Sequence, residues 1–482
     1  MKNLAKGGRC RRLLVSIALA GFVVWGSACS SSSSETGVVT PVTQTAPSRI
    51  SPQNFPVDHI VVLVLENHTF DALYGEFPGA NGLNSPDAAI PQLDDNDVEY
   101  VTLPATPDSR YPSNLPNSPF LISDYYNLDE IVPGQVHRFY QNIMQMNGEP
   151  TGDGETFTNW QLNKFVAVDG TAASMGHWDS SLLPLEPYAR DYVLMDNFFV
   201  GTFGGSMFGH IWLIGAQPMV WPDAPDIVRL QPQFAPDGRL IGLDNPGGFV
   251  TPDGYVVEDW VPYFTPTNDS IPPARRIPPQ EHSTVGDQLT SAGVSWGWYA
   301  QGWDEAVAGN PPDGFQVHHQ PFSYFGQFAP GTPQRSHLRD MDDFEASLSN
   351  GTMPSVAFLK PVGGLDEHPG ESPVGPSEVQ VVEVIELIRQ SPFWESTAIF
   401  VTYDDFGGYY DHVPPPTVDR WGPGGRIPVI LISPHAKKGF IDSTLYDNTS
   451  ILRFIEWRFG LVRSGTREAN LPLNAFDLSS VP

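Results

Sequence analysis

An apolar segment near the start of the chain ends abruptly in side chains that can bind a cation. Ile60 to Leu65 are six consecutive apolar residues, and Glu66 and Asn67 follow them directly. Such a run predicts a β-strand that is buried on both faces, as in a parallel sheet. Open α/β sheets carry their chemistry at the carboxyl ends of their strands, which is where Glu66 and Asn67 stand.

A second segment repeats this arrangement further along the chain. Residues 398–403 read Ala-Ile-Phe-Val-Thr-Tyr, and Asp404 and Asp405 follow them. Two parallel strands that end in oxygen ligands at one edge of a sheet make a metal site the leading hypothesis. Ordinary strand-end turns are the alternative for both segments.

The order of the remaining predicted elements indicates the fold class. Ser377 is predicted to cap the first of two amphipathic helices, and Gly460 to end the second. Strands that alternate with such helices predict an α/β fold with a doubly wound, mostly parallel central sheet and helices on both faces. Segments 84–131 and 219–280 are predicted to be long loop insertions at the active-site end. The other predicted strands span residues 192–199, 294–299, 355–360 and 427–433, and the two helices about 378–390 and 450–459.

The first residues of the chain predict export. Five basic residues precede the apolar segment 13–25, and small residues then lead to Cys29 and a run of serines. This layout resembles a bacterial lipoprotein signal, which implies a lipidated Cys29 and a membrane-anchored protein on the periplasmic or extracellular side. Gly26 replaces the usual leucine, and a transmembrane anchor is the alternative, although a spanning helix needs roughly 20 apolar residues. We expect a signal peptide over residues 1–28, a Ser/Thr/Pro-rich tether over 29–54 and one catalytic domain over 55–482.

Charge and cysteine content narrow the possible partners and chemistry. The formal charge is -29, and loss of five basic residues with the signal lowers it to -34. So acidic a protein is poorly suited to nucleic acid. The only cysteines are Cys10 and Cys29, so the mature protein would have neither a disulfide nor a thiol nucleophile.

Four further clusters contain chemically capable side chains: Gly204-Gly205-Ser206, His318-His319, Asp366-Glu367-His368 and Asp411-His412. Together with the two strands they resemble the bacterial phosphoesterase family of acid phosphatases and phosphorylcholine-type phospholipases C, within the alkaline phosphatase superfamily. The resemblance runs through most of residues 55–465. It implies an alkaline phosphatase-like fold and hydrolysis of phosphoric esters.

The resemblance also implies a role for each matched residue. Glu66, Asn67, Asp404 and Asp405 would hold one divalent metal ion, of a kind that the sequence does not specify. Ser206 would be both a further ligand and the nucleophile that forms a phosphoserine, because a cation lowers the pKa of a bound hydroxyl. Matched histidines would surround the phosphoryl group, where they could neutralise its oxygens or protonate the leaving alkoxide. These are His137, His318, His319 and His368.

Several features leave the substrate open. The phospholipase branch has Pro-Asn after the nucleophile, whereas Phe208-Gly209 and then His210 stand nearby here. His210 could donate to phosphate or cap a helix, and His412 suits either a structural turn or a position that supports the site residues from behind. A choline head group would call for an aromatic or carboxylate cage. Trp296, Trp298, Tyr299 and Trp303 could supply such aromatics or could equally be core.

Three hypotheses follow from these residues. We expect an acid phosphatase-like phosphomonoesterase that acts on a small molecule or a lipid head group. A phospholipase C that cleaves a phosphodiester is the alternative enzyme. A surface lipoprotein that binds a ligand without turnover is the third hypothesis, and loss of a metal ligand or of the nucleophile would favour it.

Overall fold

An eight-stranded mixed sheet forms the centre of the protein. The computed structural model describes residues 51–266 and 270–479, so the predicted signal peptide, Cys29 and most of the tether lie outside the described residues. Among residues 51–54 of that tether, Pro52–Asn54 form a 3-10 turn. The strands of the sheet are β1 (His59–Leu65), β2 (Val193–Met195), β3 (Trp296–Ala300), β4 (Leu338–Arg339), β5 (Val356–Lys360), β6 (Thr397–Tyr403), β7 (Val429–Ile432) and β8 (Phe440–Asp442).

The order of the strands across the sheet is β4-β3-β5-β1-β6-β7-β2-β8. Strand β7 pairs antiparallel with both of its neighbours, and all the other pairs are parallel. The central strands β1 and β6 are buried almost throughout, which explains their continuous rather than alternating apolar sequences. The prediction of a mostly parallel α/β sheet is therefore confirmed.

Helices flank this sheet within the described residues. The helix Ser206–Gly215 is buried along its whole length, which places it inside the protein. No helix among residues 51–266 and 270–479 is long and apolar enough to cross a bilayer. The helices are α1 (Phe70–Tyr74), α2 (Phe139–Met146), α3 (Phe165–Asp169), α4 (Glu186–Asp191), α5 (Ser206–Gly215), α6 (Val285–Ser291), α7 (Trp303–Val307), α8 (Met341–Ser349), α9 (Val374–Arg389) and α10 (Asn448–Phe459).

The predicted start of helix α9 was wrong. The helix begins at Val374 with Pro373 at the N-cap, and Ser377 lies within it, donating its hydroxyl to the Pro373 carbonyl at 2.7 Å. Pro376 does not prevent the earlier start, because proline is tolerated in a first turn, where its missing N–H needs no partner. The predicted end of α10 at Gly460 is confirmed, because Gly460 has a left-handed φ of 65°.

The two predicted insertions contain little regular structure, as expected. Residues 84–131 contribute one short strand, and residues 219–280 form small antiparallel pairs. The predicted strand 192–199 is divided between β2 and a separate short strand, Phe198–Phe199, which pairs in parallel with Tyr446–Asp447 just before α10. The short strands are Phe120–Leu121, Glu149–Pro150, Phe157–Thr158, Gly176–His177, Phe198–Phe199, Met219–Val220, Pro232–Phe234, Leu240–Leu243, Tyr255–Val256 and Tyr446–Asp447.

Candidate active site

The register of β1 and β6 brings the two predicted ligand pairs together. Leu65 lies opposite Tyr403, and the N–H of Asp404 donates to the Leu65 carbonyl at 3.1 Å. Glu66 and Asp404, the first residues after the two strands, therefore lie side by side. Asn67 follows with a left-handed φ of 67°, a conformation that asparagine tolerates better than most residues.

Gly407, in the loop after β6, packs closely against Asn67. Gly407 has a φ of 64°, and a Cβ atom at this position would overlap the backbone carbonyl oxygen of Asn67. The Asp-Phe-Gly-Gly sequence after β6 therefore lets two strand-end loops approach each other without a side chain between them.

Ser206 lies next to Asn67 and Asp405. It is the first residue of α5 and is completely buried. Its Oγ lies 3.3 Å from Oδ1 of Asn67 and 3.3 Å from Oδ2 of Asp405. The positive end of the helix dipole at this position favours a negatively charged serine oxygen.

The donor atoms at this edge of the sheet fit a divalent cation. Burial raises the pKa of the Asp404 and Asp405 carboxyl groups well above their usual range, because the charged forms lose their hydration. The side-chain nitrogen of Asn67 has no hydrogen-bond partner among the described residues. Carboxylate, amide and hydroxyl oxygens together suit a hard or borderline metal ion, which would compensate the buried acids.

Lys360 also belongs to this cluster, and the sequence analysis missed it. The residue ends β5 and is fully buried, with Nζ 2.7 Å from Oε1 of Glu66 and 3.5 Å from Oδ2 of Asp404. Burial alone would lower the pKa of its ammonium, but the charges of Glu66, Asp404 and Asp366 outweigh burial and raise it. A lysine at the carboxyl end of an apolar strand was the available signal, the same one that singled out Glu66.

Three of the predicted histidines lie around Glu66 and Asp404. Nε2 of His319 lies 2.6 Å from Oε1 of Glu66, and burial lowers the pKa of His319 to about 4. The ring of His318 lies 5.0 Å from that of His319. His210 stands one turn after Ser206 in α5, with Nε2 3.4 Å from Oδ2 of Asp404, and burial and the charge of Lys360 hold its pKa well below the usual range.

Two more of the predicted histidines, His368 and His137, lie on the opposite side of Glu66. Nε2 of His368 lies 4.0 Å from Oε2 of Glu66, and the His137 ring lies 5.3 Å from the His368 ring. Burial by itself lowers the pKa of His368, but Glu66 and Asp366 outweigh burial and raise it to about 9. Burial and the charge of His368 lower the pKa of His137. At neutral pH, His368 is therefore cationic, whereas His137 and His319 are neutral.

Residues 57–462 match the model of the Phosphoesterase family. The chain belongs to the phosphoesterase family. This phosphoesterase is therefore a hydrolase that acts on phosphoric esters. It is 24% identical over 445 residues to phospholipase C A of Mycobacterium tuberculosis, a match that covers 84% of this chain and 73% of the relative.

Two other proteins show a more distant or partial similarity. Hemolytic phospholipase C of Pseudomonas aeruginosa is 25% identical over 454 residues, which cover 84% of this phosphoesterase but 53% of the longer relative. A solved structure of a protein in the alkaline phosphatase superfamily from Vibrio parahaemolyticus is 11% identical, with 70% of each chain covered and a TM-score of 0.32.

The structure places one predicted site residue elsewhere. Nδ1 of His412 lies 2.6 Å from Oδ2 of Asp71, and Nε2 of His412 lies 3.3 Å from Oδ1 of Asn81. The buried guanidinium of Arg426 pairs with Asp71 at 2.9 Å and with Asp411 at 3.1 Å. These side chains could group around an ion, but Arg426 already supplies the positive charge. His412 thus belongs to an ionic network of its own.

The aromatic residues considered for a choline cage are core residues of the phosphoesterase. Trp296, Trp298, Tyr299 and Trp303 are all buried. Trp298 stacks on Phe358, and its indole N–H donates to the carbonyl of His319 at 2.6 Å. This tryptophan supports the backbone of a site histidine and offers no exposed face to a ligand.

Asp259 is a second residue that the sequence analysis missed. It comes from the 219–280 insertion, and its Oδ1 accepts a hydrogen bond from the backbone N–H of Met207 at 2.9 Å. Gly205, the N-cap residue of α5, has no side chain to do so. The insertion therefore delivers a partly exposed carboxylate next to Ser206. A segment without periodicity offered no signal for this contact.

Proposed function

We propose that this protein is a metal-dependent phosphomonoesterase in which Ser206 is the nucleophile and forms a phosphoserine intermediate. The placement of Ser206 carries the proposal, because its Oγ lies 3.3 Å from one oxygen each of Asn67 and Asp405. Glu66 and Asp404 complete the set of residues that would hold one divalent ion. Such an ion lowers the pKa of a bound hydroxyl and polarises the phosphoryl oxygen.

The protein's own residues would then position the ester. Ser206 stands at the positive end of a ten-residue helix, which favours both its alkoxide and a bound phosphoryl group. His368 would offer positive charge to the phosphoryl oxygens, since Glu66 and Asp366 keep it protonated despite its burial. This cation also offsets the repulsion that the acidic protein exerts on anionic substrates.

Two histidines are held in a single orientation. Nδ1 of His137 lies 2.7 Å from the Gln135 carbonyl, and Nδ1 of His368 lies 2.8 Å from the Pro369 carbonyl. A carbonyl can only accept, so each Nδ1 carries its proton and each Nε2 remains available to the substrate. His368, which is protonated on both nitrogens, is the better candidate to protonate the leaving alkoxide.

A phosphodiesterase of the phospholipase C type is the second candidate. The similarity to phospholipase C A of Mycobacterium tuberculosis favours it. The residues around Ser206 would serve either ester, because both reactions need the same nucleophile and the same stabilisation of the phosphoryl oxygens. Against it stands the burial of the four aromatic residues that could have formed a choline cage.

Turnover of two chromogenic esters tests this proposal. Purified protein would be given nitrophenyl phosphate and nitrophenyl phosphorylcholine from pH 5 to 8, with added divalent cations and then with a chelator. We expect chelator-sensitive hydrolysis that favours the monoester and that Ser206→Ala abolishes. Ser433→Ala is the matched control. Ser433 is also buried, but its hydroxyl donates to the carbonyl of Thr397 at the start of β6, so it lies at the opposite end of the strands from Ser206.

The outcomes separate the hypotheses. Acid quenching during turnover should trap a phosphoryl group on the peptide that contains Ser206, and its absence would contradict the covalent mechanism. Preference for the choline diester would favour the phospholipase C reading. Binding of phosphate esters without hydrolysis of either substrate, under all the metals tested, would favour a ligand-binding protein.

We also propose that the protein is exported and anchored through Cys29. The basic residues, the apolar segment 13–25 and the small residues before Cys29 support this proposal. Radiolabelled palmitate should label the wild-type protein in its bacterial host and should not label Cys29→Ser. Equal labelling of both proteins would contradict anchoring at this cysteine.

A further inference from the structure

A second group of metal-ligating atoms overlaps the proposed metal site, with which it shares Glu66 and Asp404. Ligand atoms of Glu66, Asp404 and His210 lie within 4.8 Å of one another, and all three side chains are buried. Neither ring nitrogen of His210 has a hydrogen-bond partner among the described residues, although its ring is completely inaccessible to solvent. An unpartnered buried imidazole that faces two carboxylates is an arrangement that could bind a cation.

The ammonium group of Lys360 already contacts both carboxylates of this group. Its Nζ lies 2.7 Å from Oε1 of Glu66 and 3.5 Å from Oδ2 of Asp404. We propose that Lys360 takes the place of a second metal ion, so that the centre binds one divalent cation although its donors could hold two. This inference rests on the metal site proposed above.

The sheet holds Lys360 firmly in this position. Lys360 pairs with Ala300 of β3, and its backbone carbonyl accepts a hydrogen bond from the N–H of Gln301 at 3.0 Å. Every residue of β5 is buried, and the Lys360 side chain is inaccessible to solvent. A second divalent ion would have to bind at the oxygens that Lys360 contacts, Oε1 of Glu66 and Oδ2 of Asp404, and repulsion between two cations at such a distance is strong inside a protein. The ion proposed above would also be held by the clustered oxygens of Asn67, Asp405 and Ser206.

Other nearby donors strengthen the case that a second ion could bind without the lysine. A further group, Glu66 with His318 and His319, shares Glu66 with the first group. The His210 ring lies 6.3 Å from the His318 ring and 6.0 Å from the His319 ring. Three imidazoles thus lie near Glu66 and Asp404, the two carboxylates that Lys360 contacts, and together they form a mixed nitrogen and oxygen set that suits zinc or manganese.

The number of bound metal ions tests the inference independently of catalysis. The wild-type protein, Lys360→Met and Lys360→Met/His210→Ala would each be loaded with Zn²⁺ or Mn²⁺ and analysed for metal by mass spectrometry. We expect one equivalent in the wild type, two in Lys360→Met and one in the double variant. Lys164→Met is the control and should keep one equivalent, because Lys164 pairs with Asp97 near the surface.

Each outcome decides between the possibilities. Two equivalents in the wild type, or one in folded Lys360→Met, would overturn the role of Lys360 and leave the proposed phosphatase intact. No bound metal in the wild type would overturn the proposed metal site, and this inference with it. If Lys360→Met does not fold, Lys360→Gln, which keeps a polar head without the charge, gives the same comparison.

Discussion

A Cβ atom on Gly209 would overlap the backbone carbonyl oxygen of Asp404. The missing side chain lets α5 lie directly against the end of β6, and this contact brings Ser206, three residues earlier, next to Asp405. Position 209 therefore has a structural reason to be glycine. The position needs a glycine for close approach rather than for backbone freedom.

Gly209→Ala should reduce kcat by at least about tenfold, because the added methyl group would displace Ser206. A displacement of about 1 Å in a reacting group can lower a rate by about a hundredfold. Alanine at a helix position is otherwise favourable by up to about 1 kcal/mol. Gly215→Ala in the same helix is the control, since the nearest atom to its added Cβ would be 3.8 Å away. Steady-state kinetics and thermal unfolding of both variants check this prediction, and an unchanged kcat for Gly209→Ala would contradict it.

Asp259→Asn should raise kcat/KM for a dianionic monoester about two- to tenfold at low ionic strength, because it removes a negative charge beside the phosphoryl site. Asparagine keeps the oxygen that accepts from the Met207 N–H, so the start of α5 should stay in place. The gain should shrink as salt screens the charge. Asp226→Asn, an exposed site in the same insertion, should change nothing. A gain that persists at high salt would argue against an electrostatic effect.

Glu378→Gln should change how stability depends on pH. Burial raises the pKa of Glu378 to about 8 in the folded protein, from 4.5 for an unperturbed carboxyl. Between these values the unfolded chain has lost the proton that the folded protein keeps, so wild-type stability falls as pH rises from about 4.5 to about 8. At pH 7 the raised pKa of Glu378 lowers the free energy of unfolding by at most about 3 kcal/mol.

The glutamine variant lacks this titration, and its amide oxygen can still accept from the N–H of Leu185, which donates to Glu378 at 2.7 Å. Its advantage over the wild type should therefore grow from pH 5 to pH 8 in urea unfolding experiments. Glu383→Gln, at an exposed position of the same helix, is the control and should follow the wild type. Parallel stability curves for Glu378→Gln and the wild type would show that Glu378 does not titrate in this window.

Arg426→Met should destabilise the fold by about 3–5 kcal/mol, because it leaves buried Asp71 and Asp411 without their cation. The kcat of the folded fraction should stay unchanged, since this network does not contact Ser206. Arg389→Met removes a partly exposed pair with Glu386 and should cost less than about 1 kcal/mol. Denaturant unfolding measures both, and added Zn²⁺ that restored Arg426→Met would instead indicate an ion site at His412.

The sequence alone determined the parts of the site that depend on local pattern. The apolar strand before Glu66 and the one before Asp404 were recognisable because burial on both faces leaves a continuous apolar run. That both strands end at the same edge of the sheet followed from the prediction of a mostly parallel sheet. The Gly460 end of α10 was equally local, since a left-handed position after a helix favours glycine.

Only the tertiary structure decided which distant side chains complete the site. Lys360 stands at the carboxyl end of a strand, much as Glu66 does, but the register of three strands was needed to place its ammonium on Glu66 and Asp404. His412 resembles the other histidines in sequence, yet it faces Asp71. Contacts between residues far apart in the chain depend on strand order and on how loops meet, and neither leaves a periodic signal in the sequence. The local sequence pattern can therefore predict which residues of the chain are candidates for function, whereas tertiary packing decides which of these residues come together in one site.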